Sequence, residues 1–383
     1  MKRRTYLRTA GVGTAALLAG CSAEPVDTDT ETASPTEGST DTQTGTSVGT
    51  TEGTPTLRVG TYSSFIDAPS TSPGEWVKEQ FESEHDATLE WFAPDGGIDY
   101  FLQRRNQDVT VDTDLYVGLT PENMVRADEG LEAEGSLFEA VDTSAISNYD
   151  HVVEDYQFDP QNRAIPMGGS YISLVYNQNL LDDRGVDAPQ TFEDLTNEAY
   201  SDALLIPNPQ NSETGLEFLF WTINEYGADG YLDYWQRLLD NGARILEGWS
   251  AAYSAYSEGE APAVVSYSTD QVFADRFDQD MAEHQIGFLN GEGYAYLEAM
   301  ARFSGTDEPE LAESFISFML EPEIQTEVAQ RNVALPAVDN ADLPQKFDDL
   351  TPEPETVVSF SYDRLSGNVN EWLDAWSRQV ATQ

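Results

Sequence analysis

Between residues 57 and 119 the chain alternates short apolar runs with amphipathic stretches, and that alternation restricts the fold more than any other feature. Residues 57–62, 87–92 and 114–119 read as strands, with helices at 75–84 and 97–106 between them. Strands that alternate with helices of this length form parallel sheets covered on both faces. The pattern resumes later: 171–176, 203–206, 244–246 and 263–267 read as strands of a second sheet, with helices at 215–226 and 231–241. Residues 297–303 read as a return strand, and 308–320 as a helix with Leu311, Phe315 and Phe318 on one face. The stretch from Thr56 onward is longer than one core comfortably supports. The expectation is therefore α/β, with two lobes joined by a hinge and a ligand cleft between them. Lobe 1 takes 56–168 plus 296–335, and lobe 2 takes 169–295 plus 336–383. Ligands of open α/β sheets sit beyond the carboxyl ends of the strands.

The first 21 residues read as an export signal. Arg3 and Arg4 open a basic segment, an apolar run from Ala10 to Ala19 follows, and Leu18-Ala19-Gly20-Cys21 closes it. The run falls short of the about 20 apolar residues that span a bilayer. The paired arginines point to the twin-arginine route. The Leu-Ala-Gly-Cys sequence resembles a lipobox, which would make Cys21 the lipidated first residue of the mature chain. Residues 22–55 are Ser, Thr, Gly, Asp and Glu with almost no large apolar side chain, and read as a disordered acidic tether. The expected location is extracytoplasmic, lipid-anchored to the outer face of the cell membrane.

With 69 acidic against 19 basic residues the formal net charge is −50, and the only lysines are Lys2, Lys78 and Lys346. Self-repulsion of this size destabilises a compact state. Molar salt removes the penalty, because the screening length falls to about 3 Å at 1 M. The acids are spread along the chain rather than gathered in one tract for a cationic partner, so the reading is a protein of a salt-rich medium. The same balance excludes nucleic acid as a partner, since phosphates need Lys and Arg. Cys21 is the sole cysteine, so no intrachain disulfide forms. The three histidines are scattered, and no HExxH, paired CxxC, P-loop or GxSxG pattern occurs. Asp112 and Asp114 lack the rest of a calcium loop and read as solvated acids. No cofactor, metal or catalytic residue is assigned.

Several strand ends carry rings in polar surroundings: Tyr62 in TYSSF, Trp249 and Tyr253 in GWSAAY, and Tyr267 in SYSTD, with Tyr171 near the crossover between lobes. Each taken singly is as readily packing. Together at one edge they suit a flat or cationic ligand, because ring faces attract cations by roughly 0.5–2 kcal/mol. Asp95, just past a strand, is either a countercharge or a helix N-cap. Ser212 and Thr214 precede a helix starting at Gly215, where free N–H groups could hold a phosphate or the hydroxyls could simply cap. Glu213 between them would repel a phosphate.

TYSSF at 61–65, PDGG at 94–97, SYISLVYNQ at 170–178, PNPQNSETGL at 207–216, GWSAAY at 248–253, GEAPAVVSYST at 259–269 and FISFMLEPEIQ at 315–325 occur in an order that resembles the thiamine-binding proteins of ABC transporters. The resemblance runs from Thr56 to a final helix with Trp372 and Trp376, and the pair GWSxAY and SYST is its most discriminating part. It implies the type II periplasmic-binding fold. Taken with the lipobox, it also implies a lipoprotein receptor, monomeric, that delivers thiamine or a thiamine phosphate to a permease driven by an ATPase. The residues matched to ligand contact are Tyr62, Asp95, Tyr171, Ser212, Thr214, Gly215, Trp249, Tyr253, Tyr267 and Phe273. This chain departs from the family at Ser63, where an aspartate is usual, at Phe273, where a tyrosine is expected, and at Val333, where a tryptophan tends to stand. Within the binding class, the alternatives are ferric iron and a polyamine. Ferric receptors show adjacent tyrosines late in the second lobe, and here only Tyr267 is present. A polyamine would need cleft carboxylates, for which Asp95, Asp270 and Glu298 are candidates, although Glu298 reads equally as a solvated strand residue. The alternative from another class is an anchored hydrolase using paired carboxylates.

Overall fold

The computed structural model describes residues 54–68, 72–132 and 134–381. The signal, the lipobox at Cys21 and all but the last two residues of the tether lie outside them. No helix among the described residues is long and apolar enough to cross a membrane.

The strands are β1 (Thr56–Gly60), β2 (Thr88–Phe92), β3 (Leu115–Leu119), β4 (Ala164–Tyr176), β5 (Leu204–Pro207), β6 (Arg244–Leu246), β7 (Ala263–Tyr267), β8 (Gln285–Gly287), β9 (Glu292–Arg302), β10 (Leu335–Pro336) and β11 (Thr356–Val358). The main path runs β2-β1-β3-β9-β4-β7-β5-β6. At its two ends, β1 pairs in parallel with β2 and β3, and β5 pairs in parallel with β6 and β7. In the middle β9 and β4 run antiparallel along most of their length. The two separate sheets expected from sequence are therefore one hydrogen-bonded ladder. The short apolar runs foretold the end strands, but β4 begins at Ala164 and β9 at Glu292, each longer than its apolar signal.

Two large hydrophobic cores flank this central pair. One gathers Leu57, Val59 and Leu89 from the parallel strands with Phe315 and Phe318 from the helix Pro309–Met319. The other gathers Ile172 and Leu174 with Trp221, Trp235, Trp372 and Trp376. The last helix, Val369–Val380, buries Val369, Trp372 and Trp376, spaced three to four residues apart on one face. Trp376 meets Trp235 edge-on at 5.3 Å, so the tryptophan-rich tail packs as core. The expected helices 215–226 and 231–241 are two arms of Glu213–Asp240, broken at Gly227, whose φ of 71° and ψ of 170° only glycine takes without strain.

Candidate ligand-binding site

The two faces of a strand alternate, and in β9 this places Tyr294, Tyr296, Glu298 and Met300 on one side. Tyr294 packs in the tryptophan-rich core and Met300 in the core built on β1. Tyr296 and Glu298 therefore lie between the two cores. Opposite them in β4 the same transition occurs: Met167 belongs to one core, Ile172 to the other, and Ser170, paired with Tyr296, stands between. The crossing region of the two long strands thus carries polar side chains on this face between the two cores.

Tyr62, just past β1, reaches this region. Its hydroxyl lies 3.5 Å from Glu298 Oε2 and accepts from Asn332 Nδ2 at 3.0 Å. Tyr296 donates to Glu298 Oε1 at 3.3 Å and stands 3.5 Å from Glu213 Oε2. Glu213 Oε1 accepts from Asn123 Nδ2 at 2.9 Å. From there a run of rings leads outward. Tyr267 meets Tyr296 edge-on at 5.1 Å, Trp249 lies 6.1 Å from Tyr267, and Tyr253 stacks on Trp249 at 5.0 Å. Thr214 Oγ1 and the Tyr267 hydroxyl are 2.8 Å apart, and Trp249 Nε1 donates to Ser266 Oγ at 3.0 Å. Trp249 is 37% exposed, so part of its ring, the side not covered by Tyr253, meets solvent.

The electrostatics are one-sided. Glu298 is 2% exposed, Glu217 1% and Glu122 3%. Burial, and then the neighbouring charge of Glu213, pushes the Glu298 carboxyl up to about 8. Burial and Glu213 likewise push Glu122 up to about 7. Glu217 is raised well above the usual carboxylate range by burial and then by Glu122, Glu213 and Glu298. Glu213 itself is raised by the protein around it, although solvent reaches its side chain. The basic group that opposes this cluster is Arg126, which also contacts Asp99 at 3.4 Å. One oxygen each of Glu122 and Glu217, and the hydroxyls of Ser170 and Ser268, are buried without a hydrogen-bond partner. Buried carboxylates without a fixed counter-ion are costly, and a cationic ligand is the group that would offset them.

Of the residues singled out from sequence, the structure brings Tyr62, Thr214, Trp249, Tyr253 and Tyr267 into this set. The Tyr253 hydroxyl is turned toward Asp270 and His284. Ser212 is the N-cap of Glu213–Asp240 but makes no capping bond, and the helix begins two residues earlier than expected. Gly215 serves by having no side chain: a Cβ there would lie 2.2 Å from the Pro207 carbonyl. Three others share no hydrogen bond or ring contact with this set. Asp95 is exposed in the turn after β2, forms no hydrogen bond with the ring set, and does not cap the following helix, whose N-cap is Gly97. Tyr171 lies on the face of β4 opposite Ser170, near Tyr156, Asp155 and Glu353. The ring of Phe273 packs on Phe277 at 4.8 Å. Sequence reasoning missed Tyr296, Asn123, Asn332, Glu122 and Glu217. An acid inside the apolar run GLEFLFWTI and the alternation of 294, 296 and 298 were the available signals.

Gly118 shapes the floor of the site. It holds φ at +91°, and a Cβ there would come within 2.5 Å of the Tyr62 ring and 3.4 Å of Glu298. Gly118→Ala is expected to lower folded stability by about 1–3 kcal/mol, read as a lower denaturant midpoint. Adding Tyr62→Ala should restore part of that loss, since it removes the ring the methyl group meets.

The fold is that of a solute-binding protein. The chain belongs to the bacterial extracellular solute-binding protein family, whose model matches residues 76–352. It is 29% identical over 329 residues to the thiamine-binding periplasmic protein of Escherichia coli K12, covering 85% of this chain and 94% of that one. To the thiamine-binding periplasmic protein of Haemophilus influenzae it is 24% identical, over 84% and 91% of the two chains. Among solved structures, a periplasmic thiamin binding protein superposes with a TM-score of 0.71 at 26% identity, over 85% of this chain and 96% of that one. The open form of ferric iron-binding protein A from Mannheimia haemolytica shares the fold, with a TM-score of 0.65 at 13% identity over 86% and 99%. The fold is type II periplasmic-binding-protein-like.

Proposed function

We propose that the chain is the extracytoplasmic receptor of an ABC importer for thiamine or a thiamine phosphate. It would be tethered through a lipid on Cys21, work in a salt-rich medium, and deliver its ligand to a permease with an associated ATPase. The observation that carries this reading is the buried carboxylate cluster at the inner end of a ring-lined path. Thiamine joins a permanently cationic thiazolium to an aminopyrimidine, so it needs aromatic faces together with fixed negative charge and hydrogen-bond acceptors. Tyr62, Tyr267, Tyr296 and Trp249 supply the faces, and Glu298 and Glu213 supply the charge and acceptors. The relatives named for thiamine add support. The two cores become the two lobes, with β4 and β9 passing between them as the hinge. The mechanism is affinity plus lobe closure, without bond chemistry. A second reading, a receptor for a polyamine, is favoured by the same carboxylates. For ferric iron, no group of three or more His, Cys, Asp or Glu side chains is placed to hold a metal ion among the described residues.

Thermal unfolding of the full chain in molar salt, with thiamine, its monophosphate, its diphosphate or spermidine, tests the proposal. A ligand at 100 times its Kd adds about 2.7 kcal/mol to folded stability, expected as a rise of roughly 3–5 °C in Tm for a protein of this size. A rise with spermidine alone would transfer the assignment to polyamines. No rise with any of them in folded protein would sink both readings.

A further inference from the structure

The start of the helix Glu213–Asp240 faces the site, and its first turn is where a ligand phosphate would meet open N–H groups and the positive end of the helix dipole. Leu216 is the first residue there whose N–H is taken by the helix, donating to the Ser212 carbonyl at 2.9 Å. The Ser212 hydroxyl leaves the preceding N–H groups uncapped. Such a turn ordinarily favours an anion. In this chain the first helical residue is itself an acid, held in the site by Asn123 at 2.9 Å and Tyr296 at 3.5 Å. One turn further along the same helix, Glu217 is buried with one carboxylate oxygen unpartnered, and Glu298 lies across on β9 with the Tyr296 hydroxyl between it and Glu213.

We propose that Glu213 sets the charge class of the ligand, admitting unphosphorylated thiamine and rejecting its phosphate esters. The inference rests on the thiamine reading above. A phosphate brought to this helix start meets the Glu213 carboxylate first, with Glu217 and Glu298 behind it. A cation in the same place gains from the Glu213 carboxylate, and favours the charged forms of Glu217 and Glu298 behind it. Arg126 does not reverse this balance, because its guanidinium is shared with Asp99. Glu213 therefore acts as a specificity residue whose charge, rather than its shape, makes the discrimination.

Titration calorimetry on the full chain in molar salt, with thiamine and thiamine monophosphate as probes, provides the test. Wild-type protein is expected to bind thiamine at least about tenfold more tightly than the monophosphate, the span of a modest like-charge penalty. Glu213→Gln keeps the side-chain length and an oxygen for Asn123, and should narrow that gap by at least about tenfold. Glu213→Ser should narrow it further by opening the helix start. A merely structural role would weaken both ligands together and leave their ratio unchanged. Equal wild-type affinities for the two ligands, or a ratio unaltered by Glu213→Gln, overturn the proposal and leave the receptor reading intact. Failure of thiamine itself to bind overturns both.

Discussion

Glu298→Gln is expected to weaken binding of the proposed cationic ligand by at least about 30-fold and, at the same time, to raise the stability of the ligand-free protein. Glu298 is nearly inaccessible to solvent and sits among like charges, so the fold holds its carboxyl up to about 8. The sign follows from linkage. An unfolded glutamate ionises in the ordinary range near 4.5. Between there and about 8 the unfolded chain has released a proton that the folded chain retains. Stability therefore falls as pH rises through that window and levels off above it. Glutamine does not titrate and removes this loss, so the variant should gain about 1–3 kcal/mol over wild type at pH 9 and little at pH 5. Denaturant unfolding at the two pH values measures the difference.

Ligand affinity has the opposite dependence. Thiamine carries its positive charge at every pH in question, so what titrates is the site. Affinity should rise about tenfold per pH unit as Glu298 ionises and flatten above about 8. Removing one partner of a buried charge pair costs about 2–5 kcal/mol, so Glu298→Gln is expected to bind roughly 30- to 5,000-fold more weakly by calorimetry. A variant that bound as well as wild type would place the ligand elsewhere. Stability given up at a binding site for function is a familiar trade.

Arg163→Met is expected to be among the most destabilising single substitutions. Arg163 is 5% exposed and joins two acids, Asp159 Oδ1 at 2.9 Å and Asp128 Oδ1 at 2.8 Å. Asp159 also accepts the Arg163 backbone N–H at 2.6 Å, and Asp128 accepts from the Tyr362 hydroxyl at 2.6 Å. These contacts tie the start of β4 to the helix Pro121–Gly130 and to the short helix Tyr362–Leu365 near the end of the chain. Methionine fills the volume but leaves the Asp159 side chain, fully inaccessible, with an uncompensated charge. Breaking a buried pair from one side costs about 3–5 kcal/mol, to be read from the denaturant midpoint. The double variant Arg163→Met with Asp159→Asn should recover part of that loss. Full stability in Arg163→Met alone would show that the triad contributes nothing net.

The local signals were sound where local physics decides. Apolar runs at β1, β5 and β7 and the amphipathic tail with Trp372 and Trp376 were legible, because burying one face of an element demands a fixed residue period. The rings at Tyr62, Trp249 and Tyr267 were legible too, since strand ends in an α/β fold converge on one edge. Asp95 was the carboxylate favoured from sequence, and it stands exposed in the turn after β2 without a hydrogen bond to the rings. The carboxylates that do gather come from the helix Pro121–Gly130, the helix Glu213–Asp240 and β9. Among 69 acids nothing local marks these as different.

The amino-acid sequence by itself thus determined the α/β class, the family, and the kinds of side chain that strand ends would present. The tertiary structure alone decided that β4 and β9 run as one antiparallel pair between two cores. It alone brought Glu122, Glu213, Glu217 and Glu298 together. Periodicity and turn chemistry are properties of neighbours along the chain. Desolvation and like-charge repulsion depend on which distant segments share a volume, and it is these that set four glutamates apart from the rest.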